Sequence, residues 1–319
     1  VHTDKADPGP EWDVAVVGSG PAGAAAAIAA RRAWPAARVA LIDRSDFPRD
    51  KSCGDGVAPQ VLDVLARLGV TGLLDGWPAV HRLRLGFPGG PELAGTMRRP
   101  TYIVPRTVLD ARLRDVALDR GAQPLRHRVR AVRVLDDRVV LDGGIEARIV
   151  IGADGAHSAV RGEVHAAPRP GTTAIALRAY APVAGMPADE QLIAFSRAGV
   201  CPAYAWSFPI GDGRVNVGYG EMLPASGHTP TRALLLARLH ELLPGVGPLS
   251  AVRGHHLPLS TAGVRQPDGR ALLVGDALSL VNPLTGEGIH AAVLSGALAG
   301  IAAARAARGT TPDAGREYR

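Results

Sequence analysis

Lysine is almost missing from this chain. Lys5 and Lys51 are the only two among 36 basic residues, so nearly all positive charge is carried by arginine. Cysteine is equally scarce. Cys53 and Cys201 cannot build a disulfide framework and fit a reducing, cytoplasmic compartment, with a single Cys53–Cys201 bridge as the alternative. No N-terminal segment has the charged, apolar and small-residue layout of a signal peptide, and no run reaches the ~18 apolar residues of a membrane span. The longest apolar stretch, Ala291 to Ala304, is broken by Ser295, Gly296 and Gly300 and reads as a buried helix. The chain starts without Met and stops after a helix-like stretch, so both ends are expected to be trimmed. Net charge is +6, but no arginine cluster is interleaved with aromatics, which excludes an evident nucleic-acid surface. His255-His256 has no partner at metal-ligand spacing, so no metal is expected. Aromatics make up only 4% of the chain, which gives weight to any place where they gather.

What is present is 319 residues, 46% of them apolar, enough for one large domain or two intimately shared ones. Trp12 to Val17 reads as a buried strand, followed by the loop Gly18-Ser19-Gly20-Pro21-Ala22-Gly23, an Ala-rich helix over Ala22 to Arg32, and a second strand over Val39 to Ile42. Gly18 allows a tight turn, Gly20 lets the backbone approach a diphosphate, and Gly23 lets the helix pack against the strand. The helix N-terminus offers free N–H groups to phosphate. Asp43, 20 residues past Gly23, stands where a carboxylate reaches ribose hydroxyls, and Arg44 follows it. Two later stretches repeat the arrangement of buried strand, acidic residue and helix: Gly152-Ala153-Asp154-Gly155, and Gly275-Asp276 followed by Pro283 and Gly286-Glu287-Gly288.

Helical spacing is also expected over Val57 to Leu68 and Arg106 to Arg120. A strand pair is expected over Arg128 to Leu135 and Arg138 to Leu141, and Ile149 to Ile151 returns to the first sheet. Thr172 to Gly220 is strand-rich and reads as a separate sheet roofing a pocket. Thr229-Pro230 is expected to cap a helix running to Leu243. Ala271 to Val274 is a last buried strand, with a helix from Thr285 onward. The fold class is α/β: a discontinuous dinucleotide domain over 1–80, 101–165 and 265–319, with an inserted, mainly antiparallel substrate sheet over 81–100 and 166–264.

The three glycine-acid stretches together resemble the glutathione-reductase-type flavoproteins, in the group that holds para-hydroxybenzoate hydroxylase and geranylgeranyl reductase. That resemblance implies bound FAD. It implies that the Asp154 stretch bridges FAD and pyridine nucleotide, that Asp276 binds the ribityl chain, and that Gly286 and Gly288 offer amides to the flavin pyrimidine edge. Arg106 matches an arginine near the cofactor in the same group, or is a solvated helix charge. Two further pieces, Lys51-Ser52-Cys53-Gly54-Asp55-Gly56 and Pro202-Ala203-Tyr204-Ala205-Trp206-Ser207-Phe208-Pro209 followed by Asn216-Val217-Gly218, resemble the geranylgeranyl reductase family, whose members carry a Cys-Gly-x-Gly turn and a Tyr-x-Trp-x-Phe-Pro strand. Tyr204, Trp206 and Phe208 share one sheet face, either an ordinary core face or the wall of an apolar pocket. Cys53 is either a buried structural thiol or, as the resemblance implies, a group beside the isoalloxazine ring that donates a proton. A nearby Lys51 would lower its pKa. Asp55 is an acid, a base or a turn former. His157 and His290 support helix packing or a phosphate.

The resemblance implies an FAD-dependent reductase acting on carbon–carbon double bonds of an isoprenoid or other hydrophobic substrate, with Cys53, Tyr204 and Trp206 as its chemical residues. A flavin monooxygenase shares the cofactor motifs. A halogenase would use Lys51, but its Trp-x-Trp-x-Ile-Pro strand is departed from at Tyr204 and Phe208. A flavin-binding protein without turnover is the non-enzymatic alternative. No second Gly-x-Gly-x-x-Gly unit precedes a helix, so NAD(P)H binding transiently, or a ferredoxin-like carrier, is the expected electron donor. A lipid substrate would bring peripheral membrane contact. The sequence leaves the oligomeric state open.

Overall fold

The computed structural model describes residues 11–165, 171–226, 229–309 and 313–319. Lys5 therefore lies outside the described residues. Trp12–Val17 forms β1, Pro21–Ala33 forms α1 and Val39–Asp43 forms β2, within a residue of the expected bounds. All of β1 is buried because its alternating side chains feed two cores. Val14 and Val16 pack on the α1 side with Ile28, whereas Ala15 and Val17 pack on the opposite face with Val160. Gly56–Val57 then forms a two-residue β3, paired with Ile103 and Tyr102, so α2 starts at Pro59 and ends at Arg67 rather than spanning Val57 to Leu68. The chain continues through β4 (Ala79–Gly86), β5 (Leu93–Ile103), α3 (Arg106–Asp119), β6 (Gln123–Arg126), β7 (Val132–Val134), β8 (Val139–Leu141), β9 (Ile145–Gly152) and α4 (Ala159–Val164). The expected strand pair is the β7–β8 hairpin, its first strand shorter than expected.

A run of long strands follows: β10 (Thr173–Pro182), β11 (Glu190–Phe195), β12 (Val200–Pro209) and β13 (Arg214–Met222). Then come α5 (Arg232–Leu242), β14 (Ser250–Pro258), β15 (Ala271–Leu273), α6 (Ile289–Arg308) and α7 (Ala314–Tyr318). The cap of α5 is Thr231, whose hydroxyl accepts the Leu234 N–H, not Thr229, and Pro230 precedes the helix.

Two sheets result. The first has the order β6-β2-β1-β9-β8-β7, with β15 also on β9; its pairs around β1 are parallel and its β7-β8-β9 end is antiparallel. The second has the order β14-β10-β13-β12-β11-β4-β5-β3 and is antiparallel except for β4 beside β11. β3 belongs to this second sheet although it lies within 1–80, and β5 runs across position 100. Helix α6 packs on α1 through small residues; a Cβ on Gly296 or Gly300 would come within 2.1 or 2.2 Å of the Ala22 or Ala26 carbonyl oxygen. By length and composition α6 could cross a membrane, but 67% of its most apolar window is buried in the protein itself, in line with the expected buried helix.

Candidate functional site

A cavity of about 1090 Å³ opens between the two sheets. At one end is the loop after β1. Its backbone turns at Gly18, with φ +105°, and α1 begins behind a Gly20 cap that offers no side chain to the first N–H groups. Asp43, at the end of β2, accepts the Ser19 N–H at 2.8 Å and the Ser45 N–H at 2.9 Å, which ties the loop to the strand. Gly18, Gly20, Pro21, Ala22, Asp43 and Arg44 all line the cavity; Gly23 does not, because it packs beneath the Gly18 carbonyl.

Arg106 also reaches the wall, but it is no solvated helix charge. It is buried and donates to Asp110 at 2.6 and 2.8 Å. Burial works against its charge, yet Asp110 holds the guanidinium protonated. Arg49 joins the same cluster, 3.1 Å from Asp110 and 3.9 Å from Asp43.

Asp154, two residues past β9, lines the cavity and accepts the Ala159 N–H through Oδ2 at 2.7 Å, while its buried Oδ1 has no partner. Burial pushes this carboxyl up. Asp276 sits in a short 3₁₀ turn after β15, with Gly275 behind it against α6 and off the cavity wall. Its carboxylate pairs with Lys51 at 3.0 Å and stands 3.9 Å from His255. Burial pushes that carboxyl up, but the Lys51 charge and His255 outweigh it and hold it well below its ordinary range. Pro283, Gly286 and Gly288 line the cavity in the segment before α6. That helix starts at Ile289 rather than Thr285, since Gly286 takes φ +66° and Gly288 is the cap.

These features fit a dinucleotide flavin: an unpartnered carboxylate oxygen in the wall, two glycine-capped helix starts aimed at one cavity, and a glycine loop with no side chain in the way. Among the described residues there is no group of three or more His, Cys, Asp and Glu that could hold a metal.

Cys53, Tyr204 and Trp206 line the same cavity. The cation beside the thiol is Arg106, not Lys51, which is taken up by Asp276. Burial pushes the thiol pKa up, and Arg106 only partly offsets that. The condition under which Lys51 would lower it is therefore not met, since its ammonium is paired with Asp276. Neither cysteine is bridged, and Cys201 is exposed. Tyr204 donates its hydroxyl to the Thr285 carbonyl at 2.6 Å, so the aromatic strand is pinned to the segment before α6. Trp206 lies against Gly218, where a Cβ would come within 2.1 Å of the indole.

A buried hub joins these parts. Asn216 donates to the Cys53 carbonyl and to Asp55, each at 2.8 Å, and accepts the Trp206 indole N–H at 2.9 Å. Asp55 is fully buried at φ +58° and takes the Tyr180 hydroxyl at 2.6 Å; its other oxygen has no partner. Asp55 is thus both turn former and buried acid. Arg178, fully buried, stacks on Tyr180 and holds Asp50 and the Lys51 carbonyl. Arg178 and Tyr180 were not expected from the sequence, although an arginine in the apolar run of β10 was a usable signal.

Burial raises the Asp55 carboxyl to about 6, against the hydrogen bonds from Tyr180 and Asn216. In the unfolded chain its pKa is about 3.9. The folded protein then binds more protons between these values, so stability is lost as pH rises from about 4 through about 6, roughly 3 kcal/mol in all. Asp55→Asn cannot ionise. Its melting temperature relative to wild type should climb across that window and level off above it; a difference that stays flat from acid to neutral pH would refute the assignment.

Comparison with known proteins gives a consistent set. The profile of a family described as FAD binding domain matches residues 11–191. Menaquinone reductase of Mycolicibacterium smegmatis is 38% identical over 319 aligned positions, covering 90% of this chain and 75% of that protein. Digeranylgeranylglycerophospholipid reductase 1 of Methanopyrus kandleri is 34% identical, covering 93% of this chain and 81% of that protein. Among solved structures, a geranylgeranyl bacteriochlorophyll reductase-like protein of Thermoplasma acidophilum superimposes with a TM-score of 0.78 at 21% identity, covering 96% and 82% of the two chains.

Proposed function

The chain belongs to the FAD binding domain family, and from that premise we propose that it is a flavin-dependent reductase saturating carbon–carbon double bonds of a polyprenyl chain. The observation that carries this reading is that the Cys53 turn and the Tyr204–Trp206 strand, both in the cavity wall, meet on one amide buried outside that lining, Asn216. Its relatives' names specify menaquinone and a digeranylgeranyl lipid, substrates that share an isoprenoid chain. Bound in the cavity, reduced FAD would supply a hydride to one carbon of the double bond.

The protein's own residues supply the rest. Gly18, Gly20, Pro21 and Ala22 would cradle the diphosphate, with Asp43 and Arg44 toward the adenosine. Asp154 and Asp276 would meet the sugar-alcohol arm, and Gly286 and Gly288 the ring. Cys53 keeps its proton at neutral pH because burial raises its pKa; it, or water, protonates the second carbon. The Tyr204 and Trp206 rings present apolar faces while their polar atoms are already bonded, so they exclude water without competing for it. NAD(P)H or a ferredoxin-like carrier provides the electrons, and peripheral membrane contact delivers the lipid.

The test is anaerobic reduction of the flavin, addition of prenylated quinones and prenyl lipids, and mass analysis. A gain of two hydrogens per reduced bond is expected. No gain with any chain length would overturn the proposal.

A further inference from the structure

The aromatic side chains do not stop at the cavity. Trp206 and Tyr204 have ring centroids 6.2 Å apart, Tyr204 and Phe195 are 5.9 Å apart, and Phe195 stacks on Phe87 at 5.0 Å. With Phe208 beside Trp206 at 6.4 Å, three of the chain's four phenylalanines lie in one row. Strand register explains the row. Tyr204 of β12 pairs with Phe195 of β11, and Ile193 of β11 pairs with Leu85 of β4, which pairs in turn with Leu93 of β5. These positions share one sheet face. The alternate residues Arg82, Arg84 and Glu190 form ion pairs on the other face. The apolar face therefore leaves the cavity and crosses three strand spacings, about 14 Å, to Phe87 and Leu93, which are 40% and 55% exposed.

We propose that this strip, Phe195, Phe87, Leu85 and Leu93, is the track on which the distal isoprene units of the substrate chain lie while one double bond is held at Trp206 and Cys53. The inference rests on the reading of the protein as a prenyl-chain reductase and adds where the rest of the chain goes. The occupant is hydrocarbon because the strip is continuous with the reaction cavity through Ile193 and Tyr204 and its side chains are aromatic and aliphatic. It makes the enzyme favour long chains.

Phe87→Ser and Leu93→Ser alter exposed positions outside the cavity wall, so flavin content should be unchanged. Naphthoquinones carrying either a single isoprene unit or a long polyprenyl chain would be compared. The expected result is a fall of about tenfold in kcat/KM for the long chain with the single-unit substrate unaffected. An equal change for both lengths would overturn the proposal, as would an unchanged length ratio accompanied by lost binding to phospholipid vesicles, which would make the strip a membrane contact. Binding of a fully saturated long-chain quinone, read by tryptophan fluorescence, separates this idea from the reductase reading. If wild type reduces none of the series, that reading fails alone. The track then stands if length-dependent binding disappears in Phe87→Ser, and falls if binding ignores either the length or the substitution.

Discussion

Gly23→Ala protein is expected to emerge from purification colourless. A Cβ at that position would sit 1.8 Å from the Gly18 carbonyl oxygen and 3.2 Å from the Ala153 side chain. The first contact is with backbone, which cannot swing away as a flexible side chain could. Relief requires α1 to move off the loop, and the loop is fixed on its other side: Gly18 backs onto Ala153, and Asp43 holds the Ser19 and Ser45 N–H groups. Displacing α1 also takes its free N-terminal N–H groups away from the cavity. Overpacking of this kind costs about 1–3 kcal/mol or more in stability, and a cradle shifted by even an ångström loses most of its hold on a diphosphate. We expect a loss of at least about 100-fold in FAD affinity, roughly 2.7 kcal/mol, read as flavin absorbance after desalting and as failure to recover it on adding FAD. Gly162→Ala is the control. It lies within α4 with nothing within 4 Å of the added Cβ, so it should keep its flavin and gain a little helix stability. A fully yellow Gly23→Ala protein would mean that the glycine loop is not the phosphate cradle.

How much of this was legible before folding depends on sequence separation. The β1-α1-β2 unit was readable because each piece is signalled locally: an unbroken apolar run, three glycines at fixed offsets, an alanine helix and a carboxylate at the strand end. The strand-rich character of the second sheet was readable for the same reason, but its order was not. Nothing local says that β4 will lie parallel to β11, or that Phe87 will stack on Phe195. Helix starts failed where two signals competed. Thr229 and Thr231 are both cap-forming residues, and the one nearer the apolar run won. Thr285 resembles a cap, but Gly286 at positive φ postpones the helix to Ile289.

The same reasoning sorts the site. The residues that meet FAD in the proposal were found because they sit in short motifs. Asp55 and Asn216 also sit in motifs, but their joining with Tyr180 into one polar hub was not legible, because the members come from three separated segments: Tyr180 is 125 positions from Asp55, and Asn216 is 161. Lys51 shows how the chain misleads. It is two residues from Cys53 in sequence, yet its ammonium goes to Asp276, 225 positions away, while the charge that reaches the thiol comes from Arg106.

Asn216→Ala should be among the most damaging single changes in the second sheet. The amide is fully buried and uses both of its Nδ2 hydrogens and its oxygen. Truncation leaves the Cys53 carbonyl, one bond to Asp55 and the Trp206 N–H without partners, each a cost of about 1–3 kcal/mol. A total near 5 kcal/mol is expected, seen as a melting temperature lower by roughly 10 °C. Activity should fall further than stability explains, because the same three bonds hold the thiol turn against the indole. Asn216→Asp separates shape from hydrogen bonding. It fits the space and can still accept from Trp206, but it places a second carboxyl against Asp55. Two facing carboxyls cannot both ionise cheaply, so one pKa rises further. The folded form then binds extra protons, and the variant's deficit should shrink on acidification and widen toward neutral pH. If Asn216→Asp instead matches wild type at every pH, or Asn216→Ala melts within a degree or two of it, Asn216 does not join the two halves of the site, and the proposed function loses the observation it stands on.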